Sequence, residues 1–378
     1  MIRVGMQVLV LADDTTGALE VGALLAASGL RTAVTLEADL EGLERYAALV
    51  VDAATRHLEA VAARQRIRDL AAKAGGLGIQ HVYLKTDSTL RGPIGAQFEA
   101  LLDVWPERPL VYVPAYPAMG RQVVAGRLLV DGRALDETAF AGDPREPARE
   151  SRIPRLLEAG CRARVVNVSC AEQLERLLGD DVESTVLLCD GTREGDLAAI
   201  AEVVARSARP CLAAGAGGFA RYWMDKLATR RDATPARHVA RRWLVINGSL
   251  HPCSRQQIAR CGLPRIRAEA GARQEFAWAV LDVAEQPAAD PAAMAQRIAG
   301  EARRIVEGSA VDGLVVFGGD TVRAVMEALG ARLIEPAGEL LAGVPISRIP
   351  AAGLALVSKA GGFGPPDVVA QIRQQLEQ

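Results

Sequence analysis

Gln7 to Ala12 (QVLVLA) is a nearly unbroken apolar run, followed by the polar turn Asp13-Asp14-Thr15-Thr16-Gly17. That pattern predicts a strand buried on both faces. Ala18 to Ser28 then places Leu19, Ala23, Leu24 and Ala27 on one helical face, with Gly29 at the C-terminal end. Further apolar runs predict strands at Thr32–Leu36, Ala48–Asp52, His81–Leu84, Leu110–Val113, Arg164–Val168, Thr185–Cys189 and Pro210–Ala214, with a helix over Glu59–Lys73. Strands alternating with helices indicate a doubly wound α/β layer.

Two stretches break the rhythm. Pro114–Pro147 is rich in Gly, Pro and charge and reads as one long irregular segment. Arg230–Arg242 carries Pro235 and a run of Arg without apolar periodicity, and reads as a linker. A second α/β unit follows it. Its expected strands are Trp243–Ile246, Gly313–Phe317 and Leu354–Ser358, and its helices lie near Arg255–Arg260, Met294–Glu307, Thr321–Leu329 and from Asp367 onward. Leu281–Pro291 is a Pro- and Ala-rich connection. The expectation is two α/β domains with mostly parallel sheets, 1–232 and 240–378, and an active site in the cleft between them.

Composition narrows the function classes. The 378 residues carry a net charge of -2, with few aromatics, which argues against a nucleic-acid surface or an anionic membrane. No apolar run reaches the ~18 residues of a membrane helix. Met1-Ile2-Arg3-Val4-Gly5 has no signal-peptide pattern, so a cytoplasmic location is expected. The six cysteines lack C-x-x-C spacing and the four histidines lack metal-ligand spacing. Neither G-x-x-x-x-G-K-[ST] nor G-x-S-x-G occurs.

In open α/β sheets, ligands bind beyond the carboxyl ends of the strands, and the polar segments of this chain fall at those ends. In the first half, Arg91 can fork a carboxylate, with Lys85 and Arg56 as further cations. Asp13, Asp14 and Asp87, with Ser88 nearby, suit hydroxyl groups. Such a mixture fits a hydroxylated acid. The structural alternative is that Asp87 and Arg91 pair with each other and Asp14 caps a helix. In the second half, Gly318-Gly319 opens a helix whose N-terminus suits phosphate, Thr321 offers a hydroxyl, and Asp320 suits Mg²⁺ or the acceptor hydroxyl. The alternative there is that Asp320 is simply the N-cap. Asn247-Gly248-Ser249 and Lys359 with Gly361-Gly362-Phe363-Gly364 form further turns. Gly215 to Ala220 has the form of a dinucleotide turn, the nearest acid for a ribose being Asp232.

Ala12 to Ala18, Lys85 to Ala96, Pro114-Ala115-Tyr116-Pro117, and Gly120-Arg121 with Asp131-Gly132 resemble the N-terminal domain of the four-carbon acid sugar kinases. Gly248-Ser249, Gly318 to Thr321 and Lys359 to Gly364 are similar to the nucleotide-binding domain of that family. Pro365 departs from its pattern. The resemblance implies ATP-dependent, Mg²⁺-assisted phosphorylation of a tetronate at its terminal hydroxyl. By the same resemblance Asp13, Asp14, Arg56, Lys85, Asp87 and Arg91 face the acid, and Ser249, Gly318 to Thr321, Gly361 and Gly362 face the nucleotide. Asp320 is the first candidate for the catalytic base and Asp87 the second. The competing readings are a non-catalytic sugar-acid binding protein and an NAD-dependent oxidoreductase. Oligomeric state is left open.

Overall fold

The computed structural model describes residues 6–37, 39–142, 147–180, 182–227, 240–267, 275–282 and 290–378. Residues 230–239 of the expected linker, Asp232 among them, lie outside that range. So do Met1–Gly5, 143–146, and 283–289 of the Pro- and Ala-rich connection. The chain forms two compact units that divide between 232 and 233, except that Ala33–Leu36 belongs with the second.

In chain order the first unit begins with β1 (Val8–Ala12) and α1 (Thr15–Ala27), and β2 (Thr32–Thr35) follows. Next come β3 (Ala48–Asp52), α2 (Ala60–Gly75), β4 (His81–Lys85), α3 (Ile94–Val104) and β5 (Leu110–Val113). Then come β6 (Arg121–Val124), β7 (Arg127–Val130), β8 (Arg133–Ala134), α4 (Ile153–Glu158) and β9 (Arg164–Val168). The unit closes with α5 (Ala171–Gly179), β10 (Thr185–Cys189), α6 (Glu194–Arg206), β11 (Leu212–Gly215) and α7 (Gly217–Leu227). Its main sheet is parallel throughout, in the order β3-β1-β4-β11-β5-β10-β9. The helices pack as two rows, α1-α7-α6-α5 and α2-α3-α4. Right-handed crossovers that first step one way along the sheet and then the other place such rows on opposite faces. β1 is therefore covered on both sides, and every residue of Val8–Ala12 is fully buried.

The segment expected to be irregular is partly ordered. β6, β7 and β8 form a separate antiparallel meander. Its two-residue turns, Ala125-Gly126 and Asp131-Gly132, have positive φ at both positions, the geometry of a tight hairpin. Short, Arg-bearing strands gave little hydrophobic periodicity, although Asp-Gly is itself a hairpin signal.

The second unit contains β12 (Trp243–Asn247), α8 (Pro252–Arg260), β13 (Trp278–Asp282), α9 (Pro291–Gly308), β14 (Gly313–Phe317) and α10 (Gly319–Ala328). β15 (Leu333–Leu341), β16 (Val344–Ile349), β17 (Leu354–Lys359) and α11 (Val368–Glu377) complete it. The strands β13-β12-β14-β17 are parallel, and β16, β15 and then β2 continue the sheet antiparallel. The β15–β16 hairpin has bulges and mostly half-buried residues, so its alternation is blurred. One sheet face buries Trp243, Val245, Val280, Val315, Phe317 and Val357 together with Ile258 of α8 and Ile372 of α11. Trp243 and Trp278 stack there at 5.5 Å.

Candidate active site

β1 connects toward β3 while β4 connects toward β5, so the first sheet reverses direction between β1 and β4. A reversal of this kind is where open α/β sheets place a ligand crevice, beyond the carboxyl ends of the two strands. Asp13 and Asp14 follow β1, and Lys85 to Arg91 end β4. The loop after β3 folds over them, with the N–H groups of Thr55 and Arg56 donating to the Asp13 carbonyl at 3.0 and 3.1 Å. This delivers Arg56 to the acids of two other loops.

Arg56 Nε and Nη2 fork Asp13 at 3.1 and 2.9 Å, Nη1 donates to Asp14, and Nη2 lies 3.5 Å from Asp87. Arg91 forks Asp87 with Nε and Nη2, both at 2.8 Å. Lys85 lies 3.3 Å from Glu20, whose carboxylate also accepts from the Tyr116 hydroxyl at 3.3 Å. Both structural alternatives therefore occur within the cluster: Asp87 pairs with Arg91, and Asp14 caps α1 by accepting from Gly17 N–H at 2.7 Å. That cap also starts α1 three residues earlier than periodicity indicated. Ser88 is half-buried on the same turn. Leu90 holds a left-handed φ of 61° in that turn, a conformation that costs a branched residue energy and needs its surroundings to hold it.

Burial pushes Asp13 up to about 6, Asp14 adding to the effect and Arg56 and Lys85 opposing it. Asp87 is also buried, but Arg56 and the Arg91 fork outweigh desolvation and hold it well below the usual carboxylate range. Lys85 is held above its ordinary value: Glu20 and Asp13 overcome its burial. Glu20 was not anticipated. Asp52 ends β3, accepts from Thr15 Oγ1 and from Ala54 N–H, and so ties that loop to the start of α1.

The second sheet reverses between β12, which connects toward β13, and β14, which connects toward β15. Asn247-Gly248-Ser249 and Gly318 to Thr321 sit at that point. The N-cap of α10 is Gly318, at φ 96°, so the alternative that Asp320 is the cap is not realised; Asp320 lies exposed in the first turn. Its cap residue is a glycine and makes no side-chain cap hydrogen bond among the described residues, and a helix N-terminus of this kind suits an anion. Ser249 does not cap α8 either, since His251 does so by accepting from Cys253 N–H. The turns approach closely. A Cβ on Gly248 would lie 2.3 Å from Thr321 Oγ1, and one on Gly361 would lie 2.4 Å from Ser249 Oγ. Gly362 follows on the same turn.

That turn is fixed from beneath by Lys359 and by two residues the sequence did not single out, Ser254 and Gln257. Lys359 Nζ donates to the Phe363 carbonyl at 2.6 Å and lies 4.7 Å from the Phe317 ring centre. Ser254 Oγ donates to Gly361 O at 2.6 Å, and Gln257 Nε2 to the carbonyls of Phe363, Gly364 and Pro365. Burial lowers Lys359 to about 8. At Gly215–Ala220, Glu20 and Tyr116 fill the space against Gly217 and Gly218, so those glycines serve packing. Among the described residues no group of three His, Cys, Asp or Glu side chains is placed to hold a metal, and no helix is long and apolar enough to cross a membrane.

Residues 8–223 match the family model of a sugar-binding N-terminal domain, and residues 268–369 that of a nucleotide-binding C-terminal domain. The chain is 30% identical over 408 residues to a D-threonate kinase of Bordetella bronchiseptica, covering 99% of this chain and 98% of that protein. It is 32% identical over 278 residues to a 3-oxo-tetronate kinase of Escherichia coli, covering 68% and 69% respectively. A Salmonella typhimurium structure superposes with a TM-score of 0.79 at 23% identity over 98% of this chain and 99% of that one, which shows the shared fold. A Bordetella bronchiseptica structure, a domain-swapped dimer with bound citrate, gives a TM-score of 0.53 at 28% identity and covers 98% of each chain. These matches define a chain with a sugar-binding part followed by a nucleotide-binding part. It belongs to the four-carbon acid sugar kinase family.

Proposed function

We propose that the protein transfers the terminal phosphoryl group of ATP to the terminal hydroxyl of a four-carbon sugar acid such as threonate, erythronate or a 3-oxo-tetronate. The observation that carries the reading is a division of labour. Each sheet gathers polar residues at its own reversal point, and one set is charged while the other is glycine-rich and opens a helix. The names of the related kinases supply the substrate class.

In this reading Asp13, Asp14 and Asp87 accept hydrogen bonds from substrate hydroxyls. Arg56 and Lys85 offset their charge, and Arg91 and Ser88 border the acid. Gly318 and Gly319 let the first N–H groups of α10 meet a phosphate, while Ser249 and Thr321 donate hydroxyls and Gly361 and Gly362 line the opposite turn. The residues present fit Mg²⁺ carried by the nucleotide phosphates with one protein carboxylate, Asp320, better than they fit an all-protein metal cage. Bound ATP–Mg²⁺ would supply the phosphoryl group and screen its charge; the protein positions the reactants and excludes water. Asp87 is held so firmly ionised that it is a weak proton acceptor, so Asp320 is the favoured group for orienting the acceptor hydroxyl. A cytoplasmic location is proposed, and a homo-oligomer is proposed from the dimeric Bordetella relative.

The test is coupled ADP release across a panel of four-carbon acids with ATP and Mg²⁺. Turnover with one or more acids is expected. Acids that stabilise the protein without any turnover would make it a binding protein, and stabilisation by NAD in place of ATP would favour the oxidoreductase.

A further inference from the structure

We propose that Arg121 is the residue that grips the carboxylate of the acid substrate. This rests on the sugar-acid reading above and replaces the expectation that Arg56, Lys85 and Arg91 do so. Those three cations face Asp13, Asp14, Glu20 and Asp87, and each is already engaged. Three positive charges against four negative ones leave no surplus for an incoming carboxylate.

Arg121 differs. Its backbone pairs with Tyr116 across a tight turn, with N–H to O distances of 2.8 and 3.0 Å, and the Tyr116 hydroxyl reaches Glu20 within the cluster. The side chain is half-buried, with its Cζ 5.7 Å from the Phe140 ring centre. Nη1 donates to the Met119 carbonyl, while Nε is buried and has no hydrogen-bond partner among the described residues. No carboxylate of the described residues lies within ion-pairing distance. A buried donor without a partner is costly, which is why such a group points to a ligand. The Nε–Nη2 edge, which Arg56 and Arg91 use on Asp13 and Asp87, is the edge that forks a carboxylate. The surrounding electrostatics agree. Burial lowers Arg121 below its ordinary value despite the fields of Asp131 and Asp87, whereas Arg56 and Arg91 are held above theirs. The structural alternative is that Arg121 only braces the hairpin through Met119.

The test is calorimetric binding, without nucleotide, of a four-carbon acid and its uncharged amide to wild type, Arg121→Gln and Arg121→Lys, beside the ADP-release assay. Wild type should favour the acid over the amide by roughly tenfold or more. Arg121→Gln should weaken the acid about ten- to hundredfold, leave the amide nearly unchanged and so abolish the preference. If Arg121→Gln does not fold, Arg121→Lys carries the comparison: it keeps the charge, loses the fork and should weaken the acid alone. A wild type with no preference for the acid, or a folded variant that retains the preference, overturns the assignment. Arg121-dependent acid binding without ADP release would sink the kinase reading and leave Arg121 standing. ADP release with an acid preference unchanged in Arg121→Gln would do the reverse.

Discussion

Arg56 holds Asp13 in a two-point fork, Nε to Oδ2 at 3.1 Å and Nη2 to Oδ1 at 2.9 Å, with Asp13 1% and Arg56 10% exposed. Breaking a buried pair from one side strands a charge, so Arg56→Ala should destabilise the fold by about 3–5 kcal/mol. Urea unfolding reads this directly. A loss no larger than that of a surface substitution would mean that water reaches the pair.

The same pair gives a pH signature. Asp13 sits at about 6 against an ordinary 3.8. A carboxylate raised on folding contributes stability that is fully present below its unfolded pKa and is lost as pH rises through its folded one. From about pH 4 to about pH 7 the wild type should therefore lose stability relative to Asp13→Asn, by about 3 kcal/mol over the window. Asp87, being depressed, runs the other way and loses its contribution as pH falls. Urea midpoints of both proteins at several pH values decide; a constant difference, or one of opposite sign, removes the raised Asp13.

Arg91→Ala takes both fork donors from Asp87 and a cation from the border of the proposed acid site. The acid KM should rise about ten- to hundredfold while the ATP KM stays within about twofold. Equal rises in both would mark a general structural loss.

Asp320 lies exposed in the first turn of α10, where its loss should cost the helix only about 0.3–1 kcal/mol. Asp320→Asn should nevertheless lower kcat by about a hundredfold or more. A Mg²⁺ titration separates its two duties, since partial recovery at high Mg²⁺ marks a metal ligand. Near-normal turnover would remove Asp320 from the chemistry.

Gly361→Ala puts a methyl 2.4 Å from Ser249 Oγ. It should abolish thermal stabilisation by ATP analogues while acid binding persists, and Ser249→Gly in the same chain should restore part of it by removing the obstruction. Undiminished stabilisation in the single variant would show that the turns are not held together.

Most strands and helices were legible in the residue pattern because burial on both faces demands long apolar runs and amphipathic helices demand a period. Ala48–Asp52, Leu110–Val113, Thr185–Cys189 and Gly313–Phe317 have the bounds the pattern predicted. The strand ends also pointed to Asp13, Lys85 and Gly318, since a polar turn after a buried strand is a local feature. The β6–β8 meander and the β15–β16 hairpin were not legible, because half-buried strands with bulges or arginines carry little alternation. Charge partnership lay further out of reach. Asp13 and Arg56 are 43 residues apart, and their meeting depends on strand order and on a loop folded by backbone hydrogen bonds. Residue type marked Arg56, Lys85, Arg91 and Arg121 alike as cations. Only the fold, by setting which carboxylate each one reaches, leaves Arg121 with a buried nitrogen and no carboxylate of its own among the described residues.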